Sequence, residues 1–203
     1  MATKKWLTIV VDGNSDLSPF WPKISSEFLV KIVRAFCDNS RREGAIPSCE
    51  FGLIMYNANI SGLGYRVQFI KWTTDVEHFL GNLSRLTFNG SNQNQHNIVQ
   101  GLAEALVMFT RNMRIQEFFN GERHCILVAT GDPDPQKMLV SLPTIGEEKF
   151  VVGQNFNVLK AHFLEVAKMF HSLRISLSVL TPKKHPMFHT IFNLVKFNLS
   201  HNI

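Results

Sequence analysis

The chain has 203 residues, 45% of them hydrophobic and 18% charged, with a net charge of +5 at neutral pH. That length and apolar content suit one sizeable core and exclude a disordered chain, and the 17 Phe predict an aromatic-rich interior. No apolar run approaches the roughly 18 residues of a membrane span, and Met1 to Lys5 lacks the apolar stretch of a secretory signal, so a soluble intracellular protein with no membrane partner is expected.

The basic residues are scattered, with doublets only at Arg41-Arg42 and Lys183-Lys184, so no direct nucleic-acid partner is expected. Cys37, Cys49 and Cys125 are odd in number and share no Cys-x-x-Cys spacing, which reads as buried thiols.

The first element, "WLTIVV" (Trp6 to Val11), is a continuous apolar run, as expected of a strand covered on both faces of a parallel sheet. The turn "DGNSD" follows, in which Gly13 permits positive φ. Ile24, Phe28, Ile32 and Phe36 then recur every four residues and predict one apolar helix face.

"EFGLIMYN" (Glu50 to Asn57) and "YRVQFIKW" (Tyr65 to Trp72) read as strands, and the second alternates Tyr65, Val67 and Phe69 against polar residues, as an edge strand does. The short connection between them is too brief for a helical crossover, so the pair is expected to be antiparallel. "TDVE" (Thr74 to Glu77) has the form of a capping box and starts a helix with a stripe of Val76, Phe79, Leu80 and Leu83. A polar stretch then leads into a helix from Ile98, with Leu102, Leu106 and Phe109 on one face and Gly101 allowing close approach to the sheet.

"HCILVAT" (His124 to Thr130) is a second buried strand, followed by "GDPDP" and a patternless loop to about Asn155. A helix carrying Phe163, Val166, Ala167 and Phe170, a strand "ISLSVL" (Ile175 to Leu180) and an apolar helix from Pro186 through Val195 complete the chain. Met113, Phe118 and Phe119 stand late in the long middle helix, where apolar faces often meet partners. The order predicts an open α/β sandwich with a mostly parallel sheet, one antiparallel edge strand and helices on both faces.

Ligands of such sheets bind beyond the carboxyl ends of the strands where the connection order reverses. Here that point lies between "DGNSD" and "TGDPD". The arrangement resembles the von Willebrand factor A domain, whose metal-ion-dependent adhesion site holds Mg²⁺ through Asp-x-Ser-x-Ser after the first strand, a threonine before a middle helix and an Asp after the fourth strand. In this sequence Asp12 matches, Asn14 and Asp16 stand in the serine positions, Ile98 stands where the threonine is expected, and Asp132 comes one residue late. Asx turn chemistry accounts for Asp12, Asn14 and Asp16, and no cofactor is expected, with weak Mg²⁺ binding as the alternative.

"WTTDVEHFL", "QGLAEALVMF", "RHCILVAT", "SLSVLTPKKHP" and "LSPFW" together resemble the von Willebrand A domain of Mediator subunit 25, especially its plant form. The resemblance runs from about Trp6 to Val195 and implies a single domain over residues 1–203 that lacks the family's last strand and helix. It also implies a nuclear docking domain whose partners are Mediator subunits, in a coactivator that links to RNA polymerase II transcription.

Other readings stay beside this one. A cation-dependent ligand-binding domain would use Asp12, Asn14, Asp16 and Asp132, and a metal-dependent hydrolase would use the Asp12 and Asp132 loops. The pair Asp132 and Asp134, flanked by prolines, is poorly preorganised for acid/base work. His185 and His189 have the i, i+4 spacing of metal ligands but no nominated third ligand. No catalytic residue is assigned.

Overall fold

The computed structural model describes residues 4–38, 49–60, 64–90, 97–111, 120–144, 156–183 and 185–190. Its centre is β1 (Lys5–Asp12), whose side chains alternate between two cores. Leu7, Ile9 and Val11 enter one, Trp6 and Val10 the other, which is why the run is apolar apart from Thr8, itself fully buried. β2 (Cys49–Ile60) pairs parallel on one side of β1, and β4 (Glu122–Val128) pairs parallel on the other.

β3 (Gly64–Thr73) returns antiparallel to β2, and β7 (Ser176–Leu180) adds parallel to β4, giving the order β3-β2-β1-β4-β7. The expected buried parallel strands and antiparallel edge are all present. On β3, however, Phe69 is 51% exposed, while Val67 and Trp72 pack toward one core and Ile70 toward the other. Phe69 lines a surface groove with Trp72, Glu104 and Met108 at the edge of the sheet, and the register shifts against β2 fall on either side of it, between Arg66 and Gln68 and between Ile70 and Thr73.

The first helix, α1, is continuous over residues 21–38 but not uniform: an α-helical turn Trp21–Lys23, a π-helical stretch Ile24–Leu29 and an α-helical body Val30–Asp38. The wider π turn inserts one residue, so the buried series runs Ile24, Leu29, Val33, Cys37. The four-residue ladder through Phe28 is therefore corrected. Phe28 is 45% exposed and, with Phe20, Val179 and Leu180, lines a surface groove of about 500 Å³.

α2 (Val76–Ser84) buries Phe79 and Leu83 on the same face of the sheet as α1. Its N-cap is Asp75, which accepts from His78 N at 2.9 Å, so the cap lies one residue later than the Thr74 box predicts. On the opposite face lies α3 (Ile98–Arg111), buried on nearly all sides, with α4 (Phe163–Ser172) beside it. The sequence passes over the cap of α4, a box in which His162 accepts from Leu164 N and Glu165 Oε2 accepts from His162 N.

α3 is covered from outside by an antiparallel ribbon of β5 (Met138–Pro143) and β6 (Phe156–Ala161), which sends Val140, Leu142 and Ala161 into the core. β5 falls inside the stretch Gly131 to Asn155 expected to be a patternless loop, and corrects it there, β6 follows that stretch, and residues 145–155 lie outside the described residues. The last helix is present over residues 186–190, and its expected continuation to Val195 lies outside the described residues, as do Met113, Phe118 and Phe119. All three cysteines are buried, and none forms a disulfide.

Candidate functional site

The carboxyl ends of β1 and β4 open onto a cleft of about 260 Å³ lined by Asp12, Asn14, Asp16, Thr130, Gly131, Asp132, Lys183 and His185. All four acidic and amide positions singled out in the sequence therefore meet in one place. The chain leaves β1 through two successive Asx turns: Asp12 Oδ1 accepts from Asn14 N at 3.1 Å, and Asn14 Oδ1 accepts from Asp16 N at 3.1 Å. Asn14 thereby caps the 3₁₀ turn Ser15–Leu17.

Gly13 is needed here for space rather than for positive φ. A Cβ on it would lie 2.9 Å from Tyr56 O and 3.0 Å from Ala58 N, and its own N–H donates to Tyr56 O at 2.7 Å. Gly90 closes the other side, with Gly90 N donating to Gly13 O at 3.0 Å and Ser15 N donating to Gly90 O at 3.0 Å. A side chain on Gly90 would overlap the Asn57 carbonyl oxygen. Three segments are thus stitched together through backbone that leaves no room for side chains.

Asp12 sits at the middle of this weave, 4% exposed. Its Oδ1 also accepts from Asn57 Nδ2 at 2.9 Å, and its Oδ2 accepts from Thr130 Oγ1 at 3.0 Å. Burial raises its pKa above the ordinary carboxylate value, opposed by the hydrogen bonds from Asn57, Asn14 and Thr130. Beneath it the Tyr56 hydroxyl is fully buried, and burial together with the Asp12 charge pushes its pKa well up. Asn57 was not singled out in the sequence. It follows Tyr56, the last residue of β2 paired with β1 and the partner of Asp12, and holds φ 57°, a left-handed conformation that Asn tolerates better than most residues.

The remaining candidates make contacts of their own. Asp132 is 52% exposed and lies 3.3 Å from His185 Nδ1, while His185 Nε2 is 3.0 Å from Thr130 O. Asp134 Oδ1 accepts from Gln136 N at 2.6 Å, a turn contact that separates its role from that of Asp132. His189 is exposed. Ile98 is 1% exposed in the core, so the position expected to carry a hydroxyl is apolar and packed.

A hard cation requires free oxygen lone pairs converging on one point. Here the two Asp12 oxygens face N–H and O–H donors, Asp132 faces an imidazole, and Ile98 offers no oxygen, so these residues do not fit the magnesium site that the fold family implies. Among the described residues no group of three His, Cys, Asp or Glu is placed to hold a metal ion.

A mostly parallel five-stranded sheet in this order, with helices on both faces and the cleft at the β1/β4 switch, defines a von Willebrand factor A-type domain. The fold is shared with proximal thread matrix protein 1 of the mussel byssus, in a structure with a zinc-occupied MIDAS motif, at TM-score 0.52 and 12% identity, covering 96% of this chain and 47% of that one. The family model of the Mediator complex subunit 25 von Willebrand factor type A domain matches residues 2–202, and the chain belongs to that family. It is 34% identical over 200 residues to Mediator of RNA polymerase II transcription subunit 25 of Solanum lycopersicum, covering 95% of this chain and 25% of the relative. With its Arabidopsis thaliana counterpart it shares 32% identity over 201 residues, covering 96% and 24%. The chain thus spans about a quarter of the length of these relatives.

Proposed function

We propose that this domain is a non-enzymatic docking module of a Mediator subunit 25-like coactivator, joining it to other Mediator subunits in the nucleus, with no direct contact to nucleic acid or membrane. The family match over residues 2–202 carries this reading.

The cleft supports it. Catalysis by a carboxylate or a histidine needs a group free to take or give a proton at a substrate atom. Asp12 is enclosed by three donors, and both His185 nitrogens face protein oxygens. Outside the cleft, Phe20, Phe28, Leu139 and Val158 leave apolar surface exposed, which suits a subunit of a larger assembly.

Affinity recovery from nuclear extract tests the proposal. Mediator subunits are expected to co-purify with the domain, and Asp132→Ala, which alters the exposed rim of the cleft, is expected to leave that recovery unchanged. Recovery of no Mediator subunit overturns the assignment.

A further inference from the structure

We propose that Asn57 and Thr130 form a built-in, metal-free clasp that takes the place of a cation at Asp12, tying the ends of β1, β2 and β4 into one fixed arrangement. The clasp consists of two side-chain bonds. Asn57 Nδ2 reaches Asp12 Oδ1 at 2.9 Å from the end of β2, and Thr130 Oγ1 reaches Asp12 Oδ2 at 3.0 Å from beyond β4.

Asn14 N and Asn57 Nδ2 together take up the lone pairs of Oδ1, Thr130 Oγ1 takes one of those on Oδ2, and each donor satisfies part of a carboxylate that is otherwise expensive to bury. An ionised carboxylate only accepts, so it fixes the Asn57 amide with its N–H inward. The other end of that amide, Oδ1, is buried with no hydrogen-bond partner, and Asn57 is 2% exposed at a left-handed φ. An unpaired carbonyl and a strained backbone are tolerated at one residue because the amide bond to Asp12 holds them there.

His185 extends the clasp to a fourth segment. Its ring bridges Thr130 O and the Asp132 carboxylate, and its edge meets the Phe188 ring at 5.7 Å, so the chain after β7 is drawn onto the same loop that Thr130 anchors. The cleft is thereby held in one conformation by the chain's own side chains. This inference concerns the domain alone and stands or falls independently of the Mediator partner.

The test is thermal unfolding of the full chain and its variants in EDTA and in millimolar Mg²⁺ or Ca²⁺. Wild type is expected to unfold at the same temperature in every condition, because a ligand that does not bind the native state cannot stabilise it. Asn57→Gly eases the left-handed backbone, so its fall of about 5 °C reads the lost amide, and Thr130→Val falls by about the same amount, neither responding to cations.

Asn57→Asp sets a second carboxylate against Asp12. It is expected to fall further in EDTA and to recover in millimolar Mg²⁺ or Ca²⁺, since the repelling pair then becomes a cation site. A wild-type midpoint that rises with Mg²⁺, wild-type stability in both Asn57→Gly and Thr130→Val, or an Asn57→Asp midpoint that does not respond to cations overturns the clasp.

Discussion

Gly101 sets two physical effects of similar size against each other, and the structure decides between them. In a helix interior, alanine is favoured over glycine by about 1 kcal/mol. Gly101 lies in α3 where it crosses β1 and β2, and a Cβ there would stand 2.7 Å from Tyr56 Cδ1, 3.1 Å from Tyr56 Cγ and 3.1 Å from Val10 Cγ1. Both neighbours are 0% exposed, and an aromatic ring enclosed on all sides cannot swing aside as the end of a flexible side chain can. Overpacking of this kind costs about 1–3 kcal/mol and here includes the helix-to-sheet spacing itself. The cost wins. Net of the helix-propensity gain, Gly101→Ala is expected to destabilise the domain by up to about 2 kcal/mol and to lower the thermal midpoint by up to about 8 °C. Gly81 in α2 supplies the opposite case, since a methyl group added there would meet nothing within 4 Å, so Gly81→Ala is expected to stabilise by up to about 1 kcal/mol. Urea unfolding followed by tryptophan fluorescence reads both midpoints. A Gly101→Ala midpoint at or above wild type refutes the packing argument.

Other expectations follow from single features. Because the π turn sends Phe28 outward and Leu29 inward, Leu29→Ala is expected to cost about 2–5 kcal/mol, whereas Phe28→Ala stays within about 0.5 kcal/mol; comparable losses from the two variants in urea unfolding contradict the π-helical register. Burial lowers the His124 pKa, with Glu122 opposing and Lys5 adding to the shift. The unfolded chain therefore takes up this proton at higher pH than the folded one, and stability falls as pH drops through the ordinary histidine value, levelling off below the folded one. His124→Gln is expected to flatten that part of the stability profile, and an unchanged slope rules the effect out.

Residues whose role depends on local pattern were legible in the sequence, and those whose role depends on register were not. β1 and β4 could be read because a strand covered on both faces is apolar over most of its length, and the order of runs then fixed a switch between them. Asp12 and Asn14 could be read as turn formers because each bonds a backbone N–H only two residues on. The π turn was hidden by adjacency: Phe28 and Leu29 are both apolar, so steps of four and of five from Ile24 both give an apolar stripe.

The β5–β6 ribbon was hidden by a long connection that leaves neither strand a nearby partner, and β6 carries exposed Val158 and Leu159 that blur its alternation. Asn57 and Thr130 bond Asp12 across 45 and 118 residues of chain. Only the parallel pairing that sets Tyr56 opposite Asp12 brings the first of them into place.

The central claim is that this domain docks onto Mediator through its protein surface without a bound cation. The direct measurement is quantitative recovery of Mediator subunits from nuclear extract by the immobilised domain, carried out in parallel in EDTA and in millimolar Mg²⁺. Equal recovery in the two conditions is expected. Recovery that appears only with Mg²⁺, and is lost in Asp12→Asn, would contradict it.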